Sequence, residues 1–235
     1  MPDRNTDDAC PRRVGVSLVF PAGQPLGAVH VGGGGFTMPR WLAATRPGSA
    51  STVLELDPGV VRLGRRELAV GDIPGVEIRV GDARTSLQAL PDDSTDLVIG
   101  DAFGSRSVPW HLATREFLAE VARVLRPGGV YLLNVIDYDP LDFLAAETAT
   151  AAAVFDEVGL LVPPDHFGDG EGGNAVLAAT DVELDWSTPE RRAAAAGETV
   201  TVLDPAATAG FAAGAPVLTD SYAPVDQLMN PYGTA

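Results

Sequence analysis

The chain has 235 residues, 46% hydrophobic and 20% charged, which is enough apolar material for one principal core and argues against wholesale disorder. All 16 basic residues are arginine against 32 acidic residues, a net charge of -16; this excludes lysine Schiff-base and Walker-type chemistry, disfavours nucleic acid, and suits either solubility or a cationic polyamine substrate. No apolar run approaches the roughly 18 residues that span a bilayer, the acidic start (Asp3, Asp7, Asp8) has no leader pattern, and a lone Cys10 leaves no internal disulfide, so a cytoplasmic protein without membrane contact is expected.

Residues 1–27 mix charge, Pro11, Pro21, Gly23 and Pro25 around one apolar stretch, Val14 to Phe20, and read as an arm with one strand. From Ala28 onward, short β-branched runs alternate with helix-length segments, the mark of a parallel sheet covered on both faces. The runs are Ala28–Val31, Thr52–Leu56, Val76–Val80, Asp96–Gly100 and Val130–Val135, nearly continuous in apolar character as doubly buried strands are. Asp57-Pro58-Gly59 predicts an N-cap with proline at the first helical position, opening a helix to about Ala69. Phe117, Leu118, Val121, Val124 and Leu125 form a helical stripe, stopped by Arg126-Pro127-Gly128-Gly129. Asp139-Pro140 is read as a second cap-and-proline start, and two further strands follow near Val158–Val162 and Asn174–Ala179.

Five parallel strands finished by a hairpin is the order of a Rossmann-like class I methyltransferase fold, an α/β architecture with a mostly parallel seven-stranded sheet, helices on both faces and a C-terminal β-hairpin. The expected organisation is an arm (1–27), a nucleoside-binding domain (28–185) and a C-terminal extension (186–235) of Ala-rich helical pieces ending in Val217–Val225.

Four motifs carry the chemistry. Gly32, Gly33, Gly34 and Gly35 follow the first strand and precede a helix, where glycines let the backbone approach a ligand. The spacing departs from G-x-G-x-x-G, since Met38 stands three residues after Gly35. Glu55, at the end of the second strand, suits a ribose diol, with neighbouring Asp57 assigned to the helix cap. Asp82 and Ala83, after the third strand, suit an adenine amino group, or Asp82 is a further N-cap. Asp101, after the fourth strand, would hold an incoming amine and help remove its proton, because only the neutral amine has a free lone pair; the alternative is a turn aspartate. All four fall at the carboxyl ends of strands, where open α/β sheets bind ligands.

These residues resemble the spermidine synthase family, in which a GGGDGG loop, an EID strand end, a GD(A/G) strand end and a D-x-x-D-P segment occur in this order. The stretches Gly33 to Arg40, Asp101-Ala102-Phe103 with Val108-Pro109, His111, Leu112 and Thr114, and Leu218 to Val225 are similar to actinobacterial spermidine-synthase-like proteins. The resemblance implies decarboxylated S-adenosylmethionine or S-adenosylmethionine as co-substrate, ribose binding by Glu55, adenine beside Asp82 and Ala83, and Asp101 as the base. Phe103, Asp220 and Tyr222 are the further substrate residues expected, a small amine such as putrescine the partner, and a homodimer the assembly. Two departures stand out: the loop acid is replaced by Gly35, and the second acid of D-x-x-D-P by Gly104 or Ser105. Methyl transfer and a noncatalytic nucleoside-binding relic are the competing functions. His30, His111 and His166 lie on separate elements, so no metal is expected; His111 is read as a packed loop histidine, and Met38 and Trp41 as core.

Overall fold

The computed structural model describes residues 16, 20, 23–104, 107–164, 172–195, 197 and 199–229. Eight strands form one sheet in the order β3-β2-β1-β4-β5-β7-β6-β8: β1 Gly27–Val31, β2 Ala50–Glu55, β3 Val76–Val80, β4 Thr95–Gly100, β5 Leu125–Asp137, β6 Glu157–Val162, β7 Gly173–Thr180 and β8 Thr201–Leu203. The first five run parallel; β7 inserts antiparallel between β5 and β6. The expected seven strands and closing hairpin are all present. The eighth, β8, pairs antiparallel with the outer edge of β6; the alternating β-branched run Thr199 to Leu203 is a strand signal that the expected set of seven left out.

Strand alternation sorts side chains to two faces. Val29, Val31, Leu54, Val98, Leu133 and Val135 face a core closed by helices α3 (Ala83–Gln88), α4 (Arg115–Val124) and α5 (Asp142–Ala152). Ala28, Leu97, Ile99, Val130 and Leu132 face the opposite way, against Met38 and Leu42 of α1 (Thr37–Thr45). Met38 and Leu42 are core as expected, and Trp41 packs partly buried beside them. A third cluster seats Val61 of α2 (Pro58–Glu67) against Phe36 and Val53.

The local rules hold at two helix starts. The Asp57 side chain accepts from Gly59 N at 2.6 Å with Pro58 in the first turn, and Thr114 caps α4 through Phe117 N at 3.3 Å. They fail at α5. The Asp139-Pro140 peptide is cis, Leu141 takes the cap position in a left-handed conformation, and the helix starts at Asp142. The Leu144 N–H in its first turn is instead met by Asp137 at the end of β5, whose carboxylate accepts from Leu144 N at 2.8 Å and from Tyr138 N, ahead of the helix, at 2.9 Å. Helix α5 is buried around most of its circumference, Glu147 included. Two C-terminal helices also pack against it, α7 (Pro205–Phe211) and α8 (Val225–Leu228), which follow α6 (Thr188–Ala195) in the chain.

Of the strand expected within 14–20, only Val16 and Phe20 are described. Val16 is helical, with Phe20 N donating to its carbonyl four residues back, a helical bond in place of a strand pairing, and both side chains join the α1 face of the core. Cys10, Ser105 and His166 lie outside the described residues. Among the described residues no helix is long and apolar enough to cross a membrane.

Candidate active site

Strand register puts the four motifs on one rim. Val31 pairs with both Leu54 and Gly100, and Glu55 pairs with Val80, so Gly32, Glu55, Gly81 and Asp101 leave the sheet at a common level. The turn after β1 is tightly constrained. Gly32 has φ +97, and a Cβ there would lie 2.6 Å from the Asp101 carbonyl oxygen, so only glycine lets β1 and β4 end this close together. Gly33 passes so near Glu55 that a Cβ would stand 2.9 Å from Oε2. Gly34 is also left-handed, and the turn closes with Phe36 N donating to Gly33 O at 2.8 Å. Phe36, itself at positive φ, is fully buried against Gly64 of α2 and anchors the turn from below.

Glu55 is buried, and each of its oxygens accepts one backbone N–H: Oε2 from Gly33 and Oε1 from Asp57, both at 2.8 Å. A carboxylate oxygen has a second lone pair, so both can still accept from a vicinal diol approaching over the glycine turn. Asp57 takes the helix cap expected of it, and Glu55 lies against the glycine turn.

Of the two readings offered for Asp82, the structure shows the helix cap. As N-cap of α3 it accepts from Thr85 N through Oδ1 at 2.9 Å, while Oδ2 lies 3.0 Å from His111 Nε2. Partial burial works against its charge, but the Thr85 and His111 hydrogen bonds outweigh that and hold the carboxyl below the usual range. His111 is thus an electrostatic neighbour of the rim and not merely a packed loop residue; Trp110 meets its ring edge-on at 5.7 Å. Ala83 is the first residue of α3, buried beneath the rim.

Asp101 is oriented from β5, where Asn134 Nδ2 donates to its Oδ1 at 2.9 Å. A cavity of about 150 Å³ opens between Asp101 and the start of α1, lined by His30, Gly32, Gly33, Gly35, Thr37 and Met38 among others. His30 is buried, donates or accepts through Nε2 with Ser51 Oγ at 3.1 Å, and is held neutral because burial depresses its pKa to about 3. None of the four motifs includes Asn134, though a lone amide within the apolar run Tyr131 to Ile136 was a usable signal, and His30 enters from the sequence only as a discounted metal ligand.

The tail residues arrive differently. Arg84 NH1 and NH2 each donate to Asp220 at 2.7 Å, and Thr114 Oγ1 donates to its Oδ1 at 2.8 Å. Arg84 holds the Asp220 carboxyl below its ordinary pKa. Asp220 therefore clasps the tail to α3 and α4, and Tyr222 is half exposed beside a backbone bridge to Thr219. Neither lines the cavity at Asp101, and Phe103 packs partly buried on the main core. Among the described residues no group of three or more His, Cys, Asp or Glu is placed to hold a metal.

A probable spermidine synthase from Corynebacterium glutamicum superposes with a TM-score of 0.77 at 32% identity, over 83% of this chain and 72% of that one. This chain belongs to the spermidine synthase-like family. A polyamine aminopropyltransferase of Vibrio vulnificus is 31% identical over 156 residues, 66% of this chain and 50% of that protein. The chain thus spans about half the length of that curated relative. The family model described as a methyltransferase domain matches residues 29–133. A spermidine synthase solved with the transition-state analogue AdoDATO shares the fold, with a TM-score of 0.60 at 17% identity over 82% of this chain and 67% of that one. Within this family the fold is the expected α/β Rossmann-like methyltransferase type, and the residues matched by the domain model run from β1 through β5, spanning every strand-end motif.

Proposed function

We propose that this chain is a cytoplasmic aminopropyltransferase-like enzyme that binds decarboxylated S-adenosylmethionine and alkylates an amine such as putrescine. The observation that carries this reading is the convergence of Glu55, the glycine turn and Asp101 on one rim, with a cavity running from the turn to Asp101. Glu55 would take the ribose hydroxyls and Asp82 with Ala83 the adenine edge. The sulfonium would then lie toward Asp101.

The reaction needs little beyond positioning. The lone pair of a neutral amine attacks the carbon next to the sulfonium; the C–N bond forms as the C–S bond breaks, and sulfur keeps the pair as 5'-methylthioadenosine. The attacking nitrogen must shed one proton, which Asp101 accepts, its carboxylate aimed by Asn134. The net charge of -16 favours the approach of a polycation over an anion.

Methyl transfer from intact S-adenosylmethionine is the second reading, favoured by Gly35 in place of the loop acid and by the methyltransferase-domain match. Product analysis separates the two: with putrescine and each donor in turn, 5'-methylthioadenosine marks aminopropyl transfer and S-adenosylhomocysteine marks methylation. Neither product from either donor would refute both.

A further inference from the structure

Strand β3 closes one side of the 8-stranded sheet, and among the described residues it pairs only with β2. Ser51 N donates to Gly75 O and Gly81 N donates to Glu55 O, so the odd-numbered positions along β3 turn their backbone groups toward β2. Val76, Ile78 and Val80 turn theirs outward, and among the described residues only Val76 N is engaged, by Ile73 O. An open edge of this kind is a template for a further strand. We propose that it binds the same edge of a second copy of this chain, antiparallel, about a two-fold axis at Ile78.

The strand is self-complementary about that residue. It reads Val76-Glu77-Ile78-Arg79-Val80, so a two-fold copy sets Ile78 against Ile78, Val76 against the partner's Val80 and Glu77 against the partner's Arg79. Ile78 exchanges both backbone bonds with its copy, and Val80 N donates to the partner's Val76 O. Every free outward N–H thereby gains an acceptor, and Val76 N keeps Ile73 O. The charges fix the register. Glu77 and Arg79 lie on one face of the strand, Arg79 Nε donating to Glu77 Oε1 at 2.8 Å within the chain. Charged residues on an edge normally deter pairing, but here each meets its opposite across the axis, while a slip of two residues sets Glu77 against Glu77 or Arg79 against Arg79.

Apolar surface at the same corner favours cover by a partner. Val80 is 52% exposed, and Leu56, level with the end of β3, is 68% exposed. Leu63 of α2, the helix packed on β3, and Leu68 at its end are exposed as well. The register also reaches the rim. Setting Val80 against Val76 sets Asp82 against the partner's Pro74, so each copy brings its 73–75 turn beside the Asp82 end of the other's rim. On the reading of that rim as the donor site, the partner supplies a wall at the adenine edge and leaves the Asp101 side, beyond β2 and β1 in the sheet, open. The interface itself stands without that reading.

Sedimentation equilibrium of the full chain tests this at about 0.15 M salt, which screens the net charge of -16 on each copy beyond about 8 Å. Wild type should pass from the mass of one chain to that of two with rising concentration. Glu77→Arg and Arg79→Glu, each alone, set like charges face to face and should weaken the dimer about tenfold or more. An equal mixture of the two variants should recover wild-type association, because every charge then meets its opposite again; the same recovery shows that both variants fold. A wild type that stays monomeric, single variants that associate as tightly as wild type, or a mixture that stays apart overturns the assignment. Binding of 5'-methylthioadenosine, measured separately, decides the donor-site reading and leaves this interface untouched.

Discussion

The proposed donor half and the proposed amine half of this rim are held together by different means. Around β1, β2 and β3 the acids are held mainly by backbone N–H groups: Glu55 by Gly33 and Asp57, 22 and 2 residues away, and Asp82 by Thr85, 3 away, with the His111 side chain added from 29 away. Around the Asp101 loop the ties are between side chains far apart: Ser107 to Asp226 across 119 residues, Thr114 to Asp220 across 106, and Arg84 to Asp220 across 136. A backbone-built site is as rigid as the sheet beneath it. One assembled from a docked tail depends on that docking, so changes to the tail should alter amine recognition and spare the nucleoside.

The sharpest test of the division is Asp101→Asn, which keeps the Asn134 contact within reach but removes the proton acceptor. Turnover should fall by at least ~100-fold, the scale of general-base catalysis, while calorimetry finds donor affinity unchanged; equal turnover would remove Asp101 from the mechanism.

Next in size is a pH effect at the support of the amine half. Burial raises the Asp137 carboxyl from 3.8 to about 6, against the opposing N–H bonds of Leu144 and Tyr138. In the window between these values the folded chain binds more protons than the unfolded one. Stability should therefore rise as pH falls from about 6 to about 4, by roughly 3 kcal/mol from this group, since one extra bound proton contributes about 1.4 kcal/mol for each pH step of one. Denaturant unfolding of Asp137→Asn should lack that increment relative to wild type; parallel pH profiles for the two proteins would refute the assignment.

Glu55→Gln replaces one acceptor oxygen by a donor facing either Gly33 N or the ribose. Donor binding should weaken about tenfold or more, the cost of one hydrogen bond to a charged group, with amine affinity little changed. The smallest effect belongs to the tail clasp. Asp220 is 44% exposed at its side chain and Arg84 19%, so the pair is partly screened. Arg84→Met should cost at most ~1 kcal/mol of stability and a few-fold in amine affinity, leaving nucleoside affinity intact; a loss confined to the nucleoside would invert the comparison.

The same contrast explains what could be read from the sequence. The strands, the α2 and α4 caps and Asp82 as the cap of α3 were legible because each depends on neighbours within one strand, turn or helix start. Asp57 is an example: a cap followed by proline is a local signature, and the helix begins where it says. Asp139-Pro140 carried the same signature and misled, because the donors at that helix start are met by Asp137 from the preceding strand. His111, Asn134 and Arg84 act across elements, and no local pattern specifies which acid each will meet. Asp220 stands out as an unusual tail residue, but its bidentate partner 136 positions earlier could only come from the fold. Glu147 shows the limit from the other direction. A helix reading leaves it free to face solvent, but it lies near Tyr131 on the side of α5 that carries Phe143, Leu144 and Ala151, and burial there pushes its carboxyl well above the ordinary value.

Whether the strand-end carboxylates form one adenosine-shaped site is tested most directly by calorimetric titration with 5'-methylthioadenosine. One nucleoside should bind per chain, at least tenfold more weakly to Glu55→Gln and equally well to Arg84→Met. No detectable binding to the wild-type chain, or an affinity that ignores Glu55, would contradict a shared site.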